Sequence, residues 1–215
     1  ILAWELANEP RSSDRSGRIV SRWVDDLSTF LKQVDRNHLV GTGEEGFDVS
    51  AGGYSLSAYS NQMWLFDGTA GVSFMANSRS QHIDFGSIHL YPQSWGLTNS
   101  AGNSWISDHI RLASTLNKPL LVGEFGVLAQ QSATYDSWLT TTLLEGGGGA
   151  MMWQLLEAGR NNNDGYGVRC PESGTLCAVL QNQGALFNSK SSGTPLVPPP
   201  SFWLFQNYPN PFNSQ

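Results

Sequence analysis

The chain is short of charge, of cysteine and of long apolar runs, and each shortage removes a class of function. Charged residues make up 14%, with 12 Lys and Arg against 18 Asp and Glu, for a formal net charge of −6. No basic cluster is present to neutralise phosphates, which argues against nucleic acid as a partner. No apolar stretch approaches the roughly 20 residues of a membrane-spanning helix, so no membrane span is expected. Cys170 and Cys177 are the only cysteines. Their spacing suits neither zinc nor a redox motif; they either close a small disulfide loop in an exported protein or stay as two buried thiols. No Gly-rich phosphate fingerprint follows any apolar run, which speaks against a dinucleotide fold.

What is present is globular. The chain has 215 residues, 40% of them hydrophobic, 11% aromatic and eight of them Trp. That length buries a sizeable core, and one domain is the default. An acidic, charge-poor, Trp-rich chain suits a neutral partner such as a carbohydrate.

The stretch Ile1 to Arg11 sets the organisation. Mostly apolar residues run into Asn8, Glu9 and Pro10, which reads as a parallel strand buried on both faces and ended by proline. Because the chain opens inside this strand, its true start and any signal peptide are expected upstream. From Ser12 to Asn37 the period turns helical, with Ile19, Val20, Trp23, Leu27, Phe30, Leu31 and Val34 on one stripe and Ser13 or Ser16 as cap. Further strands are expected at His38–Gly43, Ile83–Leu90, Lys118–Gly123 and Ala150–Leu156. Between them fall a long loop from Phe47 to Gly68, a weak helix over Thr69–Gln81, and helices at Trp105–Leu116 and Ser132–Glu145. Gly159 to Gly184 reads as loop.

Strand and helix thus alternate, which predicts a parallel sheet with right-handed crossovers. Polar residues at nearly every strand end favour an α/β (β/α)8 barrel over an open sheet, because barrel enzymes place catalytic groups there. Five strands are too few for closure, so the chain reads as the last five βα units of such a barrel. Three regions follow: a partial catalytic barrel over residues 1–188, a Pro/Ser-rich linker over 189–204, and a C-terminal tail over 205–215.

Glu9 and Glu124 each follow an apolar run, three strands apart. In a barrel such carboxylates face each other across the mouth, and two carboxyls about 5–5.5 Å apart are the arrangement of a retaining glycosidase. Spacing alone leaves open that one or both are scaffold ions paired with Arg. Here a resemblance enters. Trp4-Glu5-Leu6-Ala7-Asn8-Glu9-Pro10-Arg11 and Gly123-Glu124-Phe125-Gly126 resemble the two catalytic strands of glycoside hydrolase family 5, in its endo-β-1,4-mannanase branch. Gly43-Glu44-Glu45-Gly46-Phe47, Ser87-Ile88-His89-Leu90-Tyr91-Pro92 and Met152-Trp153-Gln154 match in the same order.

The resemblance implies Glu9 as acid/base and Glu124 as nucleophile, with Tyr91 hydrogen-bonded to the nucleophile. It implies His89, Asn8 and a Trp153 platform around the reacting sugar, Arg11 on the leaving-group side, and Glu45 (or Glu44) on sugar hydroxyls. Glu9 should have a raised pKa, so that it holds a proton. Trp64, Trp95 and Trp105 are expected in loops at the barrel mouth, as further sugar platforms. Asp164, in Asn161-Asn162-Asn163-Asp164-Gly165, lacks calcium-loop spacing, and neither metal nor cofactor is expected. The implied activity is hydrolysis of mannan, glucomannan or galactomannan by a secreted or cell-surface enzyme, expected as a monomer. The tail Phe205-Gln-Asn-Tyr-Pro-Asn-Pro-Phe-Asn213 resembles the start of a type IX secretion sorting domain. By itself the five-strand chain is expected to have little activity. The alternatives are another family 5 β-glycanase, such as a cellulase or β-glucanase, and a non-catalytic polysaccharide-binding barrel.

Overall fold

Five short parallel strands alternate with helices along residues 1–60 and 62–192, the part of the chain that the computed structural model describes. Strands β1 (Ala3–Glu5) and β2 (Leu39–Gly41) pair in one sheet. Strands β3 (Gly86–Leu90), β4 (Leu120–Phe125) and β5 (Gly149–Met152) pair in a second, in that order. Each strand is followed by a helix: α1 (Arg18–Val34), α2 (Phe74–Arg79), α3 (Ala101–Thr115), α4 (Gln131–Glu145) and α5 (Gly174–Ser192). The result is an arc of a (β/α)8 barrel. Asp84 joins the two sheets, since its N–H donates to Val40 O at 2.8 Å while its carboxylate accepts from Val40 N at 2.7 Å and pairs with Lys32 Nζ at 2.6 Å.

The first strand is not buried on both faces as its composition suggests. Leu2 and Trp4 are exposed, because among the described residues β1 has β2 as its only ladder partner. Helix α1 corrects the expected stripe in the same way. Val20, Val24 and Ser28 face inward with Val40, Val72 and Ile83, whereas Ile19, Phe30 and Val34 are exposed. Its start is held by Asp14 more than by Ser13 or Ser16: the Asp14 carboxylate accepts from Ser16 N at 3.0 Å and from Ile19 N at 3.2 Å.

The segment from Phe47 to Gly68 is no open loop. It carries two short 3-10 turns, Leu56–Tyr59 and Met63–Leu65, and supplies Phe47, Tyr54, Tyr59, Leu65 and Phe66 to the main core. Two buried carboxylates hold it. Asp48 accepts from Tyr54 OH at 3.0 Å, and Asp108 accepts from Ser55 N at 2.6 Å and Tyr59 OH at 2.7 Å. Trp95 and Trp105, expected as sugar platforms, belong to this core and are 6% and 0% exposed. Fully buried aromatic rings each remove about 150–250 Å² from water, which makes packing their role. Trp64 is half-buried against Phe47.

Helix α5 was not legible, and it occupies much of the stretch that reads as loop. It packs on α4, with Gln183 Nε2 donating to Asp136 Oδ1 at 2.7 Å and Thr140 Oγ1 at 2.9 Å. Cys170 and Cys177 form a disulfide that ties the preceding loop to this helix. Residues 189–192 complete α5 rather than begin a linker; residues 193–204 and the proposed sorting tail over 205–215 lie outside the described residues. No helix among the described residues is long and apolar enough to cross a membrane.

Candidate active site

Irregular backbone at two strand ends places the carboxylates. Beyond β1, Glu9 has φ 50°, the left-handed region, which costs a non-glycine residue of order 1–3 kcal/mol. Its N–H donates to Gly43 O at 2.8 Å, and Gly43 (φ 72°) admits no side chain, since a Cβ there would lie 2.1 Å from Ala7 O. The ends of β1 and β2 are therefore clasped, with the Glu9 side chain projecting from the clasp. On β4 the register slips: Ile88 pairs with Val122 but His89 pairs with Glu124, so Gly123 is an extra residue. Such a bulge re-aims the side chain that follows it, and it sets Glu124 beside His89.

A carboxylate oxygen of Glu9, one of Glu124 and a ring nitrogen of His89 all lie within 4.8 Å of one another. His89, 1% exposed, directs Nδ1 at Glu9 Oε1 (3.0 Å) and stands 3.6 Å from Glu124 Oε2. Tyr91 OH donates to the same Glu124 oxygen at 2.6 Å. The resulting electrostatics correct one expectation. Glu9 is shifted below the ordinary carboxylate value rather than above it, because the His89 hydrogen bond, with help from the His89 and Arg11 charges, outweighs desolvation. His89 is shifted up; burial opposes this, and the Glu9 and Glu124 carboxylates prevail. Burial and the bond to Glu124 push Tyr91 up, keeping its phenol a donor.

Arg11 lies beyond Glu9 and is engaged by Glu45 through both oxygens, Nε to Oε2 at 2.7 Å and a second, shorter contact from the other guanidinium nitrogen. The guanidinium also sits over the Phe47 ring, 4.8 Å from its centroid. Glu45 is 5% exposed, and burial raises its pKa against the pull of Arg11. Trp105 supports this pair from below by donating its indole N–H to Glu45 O at 3.2 Å. Glu44, the alternative at this position, is wholly buried and points away to Asn77. Asn8 is exposed next to Glu9.

On the opposite side, Trp153 follows β5 and is 40% exposed, with its indole N–H on Asp164 Oδ2 at 2.8 Å. A cavity of about 410 Å³ adjoins it, lined by Gln154, Glu157, Arg160, Asn161, Asn163 and Asp164 among others. A larger cavity, about 670 Å³ at the start of α4, shares no residue with the carboxylate cluster. The structure thus brings together Glu9, His89, Tyr91 and Glu124, flanked by the Arg11–Glu45 pair on one side and Trp153 on the other. Two residues that support this cluster have roles the sequence does not show. Asp164 carries Trp153, and Glu5 accepts from Ser87 Oγ at 2.8 Å beneath the cluster. An acidic residue within a strand that has otherwise apolar neighbours was the signal for Glu5.

Comparison with known proteins places this geometry. A family profile described as GH family 5 beta-mannosidase-like matches residues 1–145. A probable mannan endo-1,4-beta-mannosidase F of Neosartorya fischeri is 36% identical over 190 residues, covering 85% of this chain and 40% of the relative. A probable mannan endo-1,4-beta-mannosidase A-2 of Aspergillus terreus is 37% identical over 197 residues, covering 90% of this chain and 48% of the relative. The crystal structure of an endo-beta-1,4-mannanase from Thermotoga petrophila superposes with a TM-score of 0.82 at 31% identity, over 93% of this chain and 48% of that one. The chain therefore spans less than half the length of each of these three relatives.

Proposed function

The chain belongs to glycoside hydrolase family 5, in its β-mannosidase-like group, and from that premise we propose that it is the part of a retaining endo-β-1,4-mannanase that carries both catalytic carboxylates. The observation that carries this reading is the approach of Glu9, Glu124 and His89 to within 4.8 Å. That approach is nearer the roughly 5–5.5 Å of a retaining pair, which works by double displacement, than the roughly 6.5–9.5 Å of an inverting one. Glu124 attacks the anomeric carbon while Glu9 protonates the departing oxygen; Glu9 then takes a proton from the water that releases the sugar. Tyr91 holds the attacking carboxylate in line.

In the open cleft His89 keeps Glu9 ionised. Occupation by sugar removes water from Glu9, and desolvation, already opposing the His89 bond, then favours the protonated acid. Arg11, held by Glu45, lies on the leaving-group side. Trp153 offers its face to the sugar under attack, with apolar stacking as the attraction, and Asn8 reaches that sugar's 2-hydroxyl. The substrate is mannan, glucomannan or galactomannan, and no metal or cofactor enters the reaction. The parent protein is a monomer, exported through type IX machinery that reads the tail over 205–215 and joined to it by a linker. The disulfide supports an oxidising destination.

The test is Glu124→Ala in the full-length protein. Turnover of mannohexaose should vanish and return in part with azide, giving an α-mannosyl azide, because a single displacement inverts the β linkage. Unaltered turnover would overturn the assignment. A wild-type preference for cellohexaose over mannohexaose would instead favour a β-glucanase, which needs the same two carboxylates.

A further inference from the structure

Trp153 presents a physical problem. The residue is 40% exposed, so burial alone constrains its ring only in part, yet a stacking platform must hold one plane. The turn at residues 161–166 supplies the missing constraint. Asp164 Oδ2 accepts from Trp153 Nε1 at 2.8 Å and from Gln154 Nε2 at 2.9 Å, while Oδ1 accepts from Tyr166 N at 3.0 Å. Three donors thus converge on one carboxylate, which has the acceptor capacity to satisfy them all. The Trp153 bond is the largest of the influences that hold this carboxylate in its ionised form.

The same turn reaches the nucleophile's side. The Tyr166 ring meets Tyr91 edge to face, with centroids 5.4 Å apart, and Tyr91 OH is bonded to Glu124 at 2.6 Å. Gly126 leaves the space for this meeting. A Cβ there would lie 2.7 Å from Tyr166 Cδ1, 3.0 Å from Tyr91 Cε1 and 3.2 Å from Trp153 O. One exposed acid therefore touches both walls of the reacting subsite, directly at Trp153 and through Tyr166 at Tyr91.

We propose that Asp164 is a positioning residue that sets the plane of the Trp153 platform and, through Tyr166, seats Tyr91 against Glu124. The proposal rests on the mannanase reading for its kinetic consequence but not for its geometric one. It concerns an acid outside the core, in a loop whose anchoring is local, so a merely structural role would show itself in stability and little else.

Asp164→Asn keeps the size and offers one oxygen where three donors need two. In the full-length enzyme it should lower kcat/KM for mannohexaose about ten- to hundredfold, as expected for losing a hydrogen bond to a charged group, with the thermal midpoint almost unmoved. On a Trp153→Phe background, which has no indole N–H to orient, the same change should cost only a fewfold. In the NMR spectrum the Trp153 indole proton, identified by its absence in W153F, should shift and exchange faster with solvent in D164N. If D164N melts early, D164S isolates the Trp153 contact, since its hydroxyl still accepts from the Tyr166 N–H. Wild-type kinetics in D164N, multiplicative losses in the double variant, or an unmoved indole signal would each overturn the proposal. A wild-type enzyme that leaves mannan intact would refute the mannanase reading alone, because the indole signal still tests the geometry.

Discussion

Glu44 gives the sharpest test of the electrostatics. Its side chain is completely buried, Oε2 accepts from Asn77 Nδ2 at 3.1 Å, and Oε1 has no well-aligned hydrogen-bond partner among the described residues, though the Thr42 hydroxyl is near enough to favour the charged form. Asp48 and Glu45 lie near enough to add their negative charge. Burial, the main cause, raises its pKa from 4.5 to about 8. The native state therefore binds a proton that the unfolded chain releases above pH 4.5, and stability falls as pH rises from there to about 8. Each pH unit in that window costs about 1.4 kcal/mol, so at pH 7 keeping the proton on Glu44 costs roughly 3 kcal/mol. Glu44→Gln is neutral at every pH. It retains an acceptor for Asn77 but buries an additional N–H, at about 1 kcal/mol. We expect E44Q to be more stable than wild type by roughly 2 kcal/mol at pH 7, with the advantage shrinking to nothing, or reversing, near pH 4.5. Urea unfolding of both proteins from pH 4.5 to 8.5 reads this as converging curves. Parallel curves would mean that Glu44 titrates alike in both states and that its burial is relieved by something other than a proton.

Two further perturbations test other parts. Arg11→Met leaves the Glu45 carboxylate buried without its ion partner; because the Arg11 side chain is 45% exposed, the loss should be about 1–3 kcal/mol, and adding Glu45→Met should restore most of it; equal destabilisation by the single and double variants in thermal unfolding would refute the pairing. Replacing Cys170 and Cys177 by Ser opens a loop whose ends are 7 residues apart, which the chain-entropy model values at roughly 2–3 kcal/mol. Because the loop precedes α5 and not the carboxylates, urea unfolding should register that loss while azide rescue of E124A stays unchanged; a lost rescue would place the disulfide nearer the chemistry than the structure does.

The two candidate carboxylates were legible because each puts charge where the strand pattern is otherwise apolar. Glu9 and Glu124 each follow an apolar run, and alternation of strand and helix was enough to put them at one end of a barrel. The residues that support them were less visible, for reasons that differ. Trp95 and Trp105 read as loop aromatics because the helix that holds Trp105 begins at Ala101, four residues before the predicted start; a Trp in a short apolar context does not say whether it faces sugar or core. Helix α5 was lost because Gly174 and Gly184 weaken its local propensity and its partner is α4, a contact that no local pattern records. Asp164 was weighed only as a calcium ligand and set aside, because sequence shows an acid in a polar turn and not its hydrogen-bond donors.

The pKa of Glu9 shows where residue type stops being enough. A general acid must carry a proton at attack, so the role proposed for Glu9 predicts a raised value. The structure lowers it, because the neighbour needed to orient the carboxylate, His89, is also a hydrogen-bond donor to its charged form. Orientation and protonation make opposite demands on one contact. If, as proposed above, sugar fills the cleft, the departure of water would tip the balance at Glu9 toward the protonated acid. The backbone is already committed, by the left-handed turn at Glu9 and the extra residue at Gly123. The turn at Glu9 costs folding free energy, and both irregularities place a carboxylate beside His89. The irregularities that aim Glu9 and Glu124 are thus both fixed by contacts within the chain, the Glu9–Gly43 hydrogen bond and the register of β3 on β4.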